Sequence, residues 1–128
     1  MISLEMAKKL KEAGLGWEPQ IGDWFVSPKR IVEMVNKQNH RRIYTNFGSY
    51  PMRQEALKEM VFVPRLEQLL AKIRELGYKW FVETDTERYF IRVVEIKKPN
   101  NFHVIFSDSP ANAAAEALLW IYEGRAMA

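Results

Sequence analysis

The chain has 128 residues, of which 48% are hydrophobic and 12% aromatic, and its formal net charge is +3. This length and composition predict one folded domain with enough apolar material for a core. The absence of cysteine excludes a disulfide framework, a thiol nucleophile and a thiolate zinc site. The apolar runs are too short to span a bilayer and the first residues do not resemble a secretion signal, so we expect a cytoplasmic protein that does not contact a membrane.

The first part of the chain, residues 1–60, is predicted to form a helix, a hairpin and a basic loop. Ser3 is a residue type that caps helix N-termini, and Gly14 follows the apolar positions of the helix, where a left-handed residue would end it. Residues 37–51 are polar, and their sequence leaves their structure open apart from a short strand. The predicted elements are a helix over 3–13, strands over 24–26 and 30–36, a short strand over 43–45 and a short helix over 52–60.

The second part, residues 61–128, is predicted to order as helix, three strands, helix. Apolar residues at helical spacing follow Pro64, a residue that the first turn of a helix tolerates, and Gly77 ends the pattern. Ser109 and Pro110 are typical of an N-cap and a first helical position. The predicted elements are a helix over 64–76, strands over 78–83, 89–96 and 102–106, a turn around 84–87, and a helix from Pro110 to about Glu123 that ends at Gly124.

Two short segments resemble each other and suggest an internal repeat. Residues 9–17 and 72–80 both combine the end of an amphipathic helix, a glycine and an aromatic residue that leads into a strand. Nine aligned positions do not distinguish a duplication from coincidence. We predict an α+β fold in which a mixed or antiparallel sheet of about five strands is flanked by helices, within a single domain spanning residues 1–128.

The strands of the second part are apolar on both faces. Along 89–96, one face carries Phe90 and Val94 and the other carries Ile91 and Val93. A sheet with one wet face would alternate apolar and polar residues, so a second layer should cover the extra face. The N-terminal part of the chain or a second copy of the protein could supply that cover.

The sequence contains no recognisable catalytic or metal-binding pattern. Ser3 and Ser109 resemble helix caps and Ser27 a turn residue. No serine is flanked by the glycines of a nucleophile elbow, and no glycine-rich loop leads into a helix with lysine. The two histidines, His40 and His103, lack the further ligands that zinc requires. We therefore expect no catalytic residue, no metal and no cofactor, and predict that the protein is not an enzyme. A pocket that held His103 beside an acid would favour catalysis instead.

A basic segment is the main charge feature of the chain. Residues 29–53 carry six Lys or Arg residues against a single Glu, and amides and aromatic residues lie between them. Cations next to aromatic rings suit phosphate contacts combined with base stacking, although a solvated loop has the same composition. The candidate contact residues for nucleic acid or another partner are Lys29, Arg30, Lys37, Arg41, Arg42, Tyr44 and Arg53.

The predicted order of helix, three strands and helix resembles that of the double-stranded-RNA-binding domains. The segment from Ser109 to Leu118 resembles the alanine-rich second helix of that family. That family places lysines at the start of its second helix to grip phosphates. This chain carries Ser109, Pro110, Ala111 and Asn112 there, with Asp108 before them. The resemblance therefore implies a shared fold and does not imply RNA binding.

Other segments are similar to small hypothetical proteins of bacteriophages and prophages in low-GC Gram-positive bacteria. These segments are Gly14 to Pro19 with Gly22 to Phe25, Phe62 to Leu70, and Ser109 to Trp120. The similarity covers most of the chain and includes no catalytic residue. It implies a phage-related cytoplasmic setting and no particular activity.

Two functional hypotheses follow from the sequence. The first is a non-catalytic interaction module of phage origin that binds a protein partner or itself, because catalytic groups are lacking and the apolar residues exceed what one core needs. The alternative is a nucleic-acid-binding accessory protein that uses the basic segment. The surplus apolar residues in the first hypothesis are Trp17, Trp24, Leu119 and Trp120.

Overall fold

A computed structural model of the protein describes residues 1–27, 32–36, 60–85 and 87–126. Within these ranges the fold is α+β, as predicted. The helices and strands are α1 (Leu4–Ala13), β1 (Trp24–Val26), β2 (Val32–Met34), β3 (Val61–Val63), α2 (Leu66–Glu75), β4 (Tyr78–Thr84), β5 (Tyr89–Glu95), β6 (Phe102–Ser107) and α3 (Pro110–Ala126). None of the helices in the described ranges has the length and apolar character needed to cross a membrane.

Helix α1 begins and ends as the sequence predicts. The Ser3 hydroxyl accepts a hydrogen bond from the backbone N–H of Met6 at 3.1 Å. Gly14 has a φ of 117°, a conformation that disfavours residues with a Cβ, and its N–H donates to the carbonyl of Lys11 at 3.2 Å. Leu10 is fully buried on the inner side of the helix.

The described strands form two three-stranded antiparallel sheets, in the orders β2-β1-β3 and β4-β5-β6, in place of the single sheet of about five strands that we predict from the sequence. Strand β3 is absent from that prediction because three apolar residues are too few to show a period, and only its pairing with β1 defines it. The predicted strand over 43–45 and most of the predicted helix over 52–60 lie outside the described residues.

The second part of the chain has the predicted order of helix, three strands and helix, which are α2, β4, β5, β6 and α3. Two boundaries differ from the prediction. The N-cap of α2 is Arg65, so that Pro64 lies just before the helix, and Gly124 lies inside α3 and does not end it. A helix tolerates one glycine near its end at a modest cost in free energy.

The two similar segments share a helix end and then diverge. Gly77 after α2 has a φ of 95°, which resembles the conformation of Gly14. Trp80 then lies in a strand that begins directly after the glycine, whereas Trp17 lies in an irregular segment before β1. The common feature in the described structure is therefore a glycine-terminated helix.

The core lies between the helices and one face of the second sheet. Helices α2 and α3 pack against each other, α3 contacts β5 and β6, and α2 contacts β4. Helix α1 packs against α3 and β3, which brings the first sheet to the same core. The largest fully buried side chains of this core include Leu10, Leu69, Ile73, Ile91, Val93, Leu118 and Ile121.

A buried carboxylate joins the two parts of the chain. Asp23 is only 4% exposed and its side chain accepts hydrogen bonds from the indole N–H of Trp17 at 3.1 Å and from the backbone N–H of Gln20 at 3.0 Å. The side-chain amide of Gln68, at the start of α2, donates to the other carboxylate oxygen at 2.8 Å. These bonds satisfy a group that would otherwise be costly to bury.

Candidate interaction surface

The strands β4, β5 and β6 place alternate side chains on the two faces of their sheet. One face turns Ile91, Val93 and Ile105 toward the helices, where all three are buried. We call the opposite face the outer face. In the strand register its cross-strand rows are Glu83, Phe90 and Phe106, then Phe81, Arg92 and Val104, then Lys79, Val94 and Phe102.

The outer face exposes large aromatic side chains. Phe81 is 41% exposed, Phe102 56% and Phe106 50%. Single exposed apolar residues are ordinary on protein surfaces, but here several share one face and consecutive rows of it. The N-terminal elements that the structure describes pack elsewhere, since α1 contacts α3 and β3. The described helix α1 therefore does not cover this face, and cover by the rest of the N-terminal part or by a second copy stays a prediction.

Two guanidinium groups lie over phenylalanine rings of this surface. The Cζ atom of Arg92 is 4.6 Å from the centroid of Phe81, and that of Arg88 is 4.7 Å from the centroid of Phe106. The rings of Phe106 and Phe90 are 5.5 Å apart and tilted by 44°. Such cation–π contacts hold long side chains in place while leaving their charge near the surface.

The turn between β4 and β5 positions Arg88. The carboxylate of Asp85 accepts hydrogen bonds from the backbone N–H groups of Glu87 at 3.0 Å and Arg88 at 2.8 Å. These bonds, with a smaller contribution from the Arg88 charge, hold the pKa of the Asp85 carboxyl below its usual value. The turn predicted around 84–87 is thus confirmed at Asp85.

A shallow groove of about 360 Å³ lies on the outer face, toward the end where the turn between β5 and β6 carries Pro99. The phenylalanines and aliphatic residues make most of its wall apolar, and two cations flank it. Among the described residues, neither Lys79 nor Arg92 forms an ion pair with a carboxylate. The groove is lined by Lys79, Phe81, Arg92, Val94, Pro99 and Phe102.

The candidate residues of the basic segment lie outside the described residues. They are Lys29, Arg30, Lys37, Arg41, Arg42, Tyr44 and Arg53.

His103 lies on the inner side of β6, and no carboxylate of the described residues forms an ion pair with it. Its ring stacks on Trp120 with centroids 4.9 Å apart and an interplanar angle of 10°. In the described ranges no three His, Cys, Asp or Glu side chains are grouped so that they could hold a metal ion.

The tryptophans that the sequence suggests as surplus apolar surface are packed against neighbours. Trp17 stacks on Phe62 with ring centroids 5.3 Å apart, and Trp120 lies edge-on to Tyr78 at 6.1 Å. Trp24, Leu119 and Trp120 are partly buried against the core. The outer face therefore carries exposed apolar side chains that the two-faced apolar pattern of the strands indicates and the tryptophan positions do not. Away from this face, Ile21, Val32 and Met34 are exposed as well.

Comparisons with protein-family models, with curated proteins and with solved structures find no match to this chain.

Proposed function

We propose that this protein is a non-catalytic interaction module of phage or prophage origin that binds a protein partner through its outer face. The observation that carries the proposal is the group of exposed phenylalanines in consecutive rows of one sheet face, at Phe81, Phe102 and Phe106. The phage setting is supported by the similar segments of the chain, which are Gly14 to Pro19 with Gly22 to Phe25, Phe62 to Leu70, and Ser109 to Trp120.

The composition of the outer face supports a protein partner. Aromatic residues and arginine are enriched at the centres of protein interfaces, and they supply most of the binding energy there. Arg88 and Arg92 are already held against aromatic rings, so binding would immobilise fewer free side chains.

The groove supports a more specific partner chemistry. Its apolar wall would accept an aromatic or aliphatic side chain, and Lys79 and Arg92 at its border would attract a carboxylate. A peptide that carries Asp or Glu next to a large apolar residue satisfies both requirements.

Selection from a random peptide library on the immobilised protein tests this function. We expect enriched peptides that combine an acidic and a large apolar residue and that lose binding to the Phe81→Ser/Arg92→Ser variant. The matched control is Ile21→Ser/Lys9→Ser, which removes an exposed apolar residue and an exposed cation elsewhere. Peptides that bind the outer-face variant as tightly as the control variant would contradict the proposal, and so would the absence of any enriched peptide.

The second candidate is a nucleic-acid-binding accessory function. The local excess of cations in residues 29–53 favours it, and Lys79, Arg88 and Arg92 add positive charge beside aromatic rings on the outer face. Phosphates attract such cations and bases stack on aromatic rings, so salt-sensitive binding is the expected property.

A further inference from the structure

Strand β6 is an edge of its sheet without the features that usually protect an edge. Among the described strands only β5 pairs with it. The strand reads Phe-His-Val-Ile-Phe-Ser, with no lysine, acid or proline, and both of its phenylalanines are exposed. Natural edge strands normally carry a charge, a proline or a bulge that prevents pairing with another chain. The opposite edge, β4, carries Lys79 and Glu83.

The alternation of hydrogen-bonded and non-bonded residue pairs between β5 and β6 shows which backbone N–H and C=O groups of β6 face outward. The N–H of Glu95 donates to the carbonyl of Asn101 at 2.9 Å, so that this pair is of the hydrogen-bonded type. Such pairs alternate with non-bonded ones along an antiparallel ladder, so His103 and Ile105 also bond to β5. The N–H and C=O groups that point away from the sheet therefore belong to Phe102, Val104 and Phe106.

We propose that β6 pairs antiparallel with β6 of a second copy of this chain, with Val104 on the two-fold axis. This register sets Phe102 opposite the partner's Phe106 and gives every outward N–H and C=O of Phe102, Val104 and Phe106 a hydrogen-bond partner. The interface is self-complementary, as a two-fold contact requires. The inference rests on the proposed function, because it names a second copy as a protein partner that meets the outer face.

Side chains and charges agree with this register. Phe102, Val104 and Phe106 all lie on the outer face, so pairing places apolar rows of the two copies side by side. Strand β6 contains no Lys, Arg, Asp or Glu, so the pairing places no two like charges opposite each other near the axis. Asp108 follows β6 and Lys98 precedes it, so an antiparallel pair brings Asp108 toward the end of the sheet that carries the partner's Lys98.

Cysteine cross-linking tests the register directly, because the chain has no cysteine of its own. Residues that face each other in a hydrogen-bonded antiparallel pair have Cα atoms about 5.5 Å apart, within reach of a disulfide. We expect Val104→Cys to form a covalent dimer under mild oxidation. Phe102→Cys alone should not, because the two introduced thiols are offset by four residues, about 13 Å along the strands. A mixture of Phe102→Cys and Phe106→Cys should cross-link between copies.

Sedimentation of the unmodified chain supplies an independent readout. We expect a mass twice the 15.1 kDa of the single chain, which falls to the single-chain value in Val104→Lys because like charges then meet on the axis. Glu83→Lys on the far edge is the matched control and should remain dimeric. A single-chain mass for the unmodified protein, or equal cross-linking of Val104→Cys and Phe102→Cys, would overturn the inference.

Failure of this inference can be distinguished from failure of the proposed function. The groove cations Lys79 and Arg92 lie on β4 and β5, whereas Phe102 in the groove wall lies on the β6 edge itself. A monomeric protein that still selects acidic, apolar peptides would refute the dimer and keep the interaction module. A dimer with the predicted cross-links that selects no peptide would refute the groove as a binding site and keep the pairing of β6.

Discussion

Asp23 shows how a single side chain connects two parts of the chain. It lies in the turn before β1, yet its carboxylate accepts hydrogen bonds from Trp17 and from Gln68 at the start of α2. The backbone N–H of Gln20 donates to the same group. The residue type alone would predict an exposed turn, so the sequence does not reveal this connection, which depends on the position of α2.

Replacing Asp23 should therefore destabilise the fold. In Asp23→Ala the donors of Trp17, Gln20 and Gln68 lose their acceptor, and unpaired buried polar groups cost about 1–3 kcal/mol each. Because relaxation and water recover part of this cost, we expect the free energy of unfolding in urea to fall by about 2–4 kcal/mol. The control Glu18→Ala, at an exposed position nearby, should change it by less than about 0.5 kcal/mol. Equal effects of the two substitutions would contradict the structural role of Asp23.

At the scale of elements, local chemistry predicts the starts of α1 and α3 and the hairpin of β4 and β5 well. Ser3 and Ser109 cap their helices as the residue type predicts, and Ser109 accepts from the backbone N–H of Asn112 at 3.0 Å. Element ends that depend on neighbours are predicted less well. Strand β3 exists because β1 pairs with it, and α3 continues past Gly124, although a glycine often follows the last residue of a helix.

Two glycines should respond oppositely to the same substitution. Gly77 has a positive φ after α2, so Gly77→Ala should lower the free energy of unfolding by about 1 kcal/mol even though space for a Cβ is present. Gly124 lies within α3 and also has room for a Cβ, so Gly124→Ala should raise the free energy of unfolding by up to about 1 kcal/mol. Urea unfolding measures both changes, and a destabilised Gly124→Ala would show that the helix ends where the sequence pattern places its end.

At the scale of the whole molecule, the sequence predicts the fold class but not the arrangement of the strands. Alternation along β5 shows that both of its faces are apolar, yet the pattern does not say which face the helices cover. The structure places α3 against Ile91 and Val93, and leaves Phe102 and Phe106 exposed. The groove residues Lys79 and Arg92 come together only through the strand register, so no sequence motif marks them.

The basic segment gives a prediction for nucleic-acid binding that is independent of the outer face. If residues 29–53 contact phosphates, binding to short DNA or RNA should weaken steeply with salt and should be lost in Arg41→Ala/Arg42→Ala. Fluorescence anisotropy at low and moderate salt measures this, and Lys8→Ala/Lys9→Ala removes the same charge from the exposed side of α1 as a control. An affinity that is the same in both double variants would exclude these arginines as contacts.

The central claim is that the outer face serves recognition and contributes little to folding. The most direct measurement compares the free energy of unfolding of Phe102→Ser with that of Ile91→Ala, at a protein concentration low enough to separate two copies. We expect Phe102→Ser to cost less than about 1 kcal/mol, because exposed cross-strand pairs contribute little. Ile91→Ala in the core should cost about 2–5 kcal/mol. A loss for Phe102→Ser as large as that for Ile91→Ala would show that the outer face is part of the core and would contradict the claim.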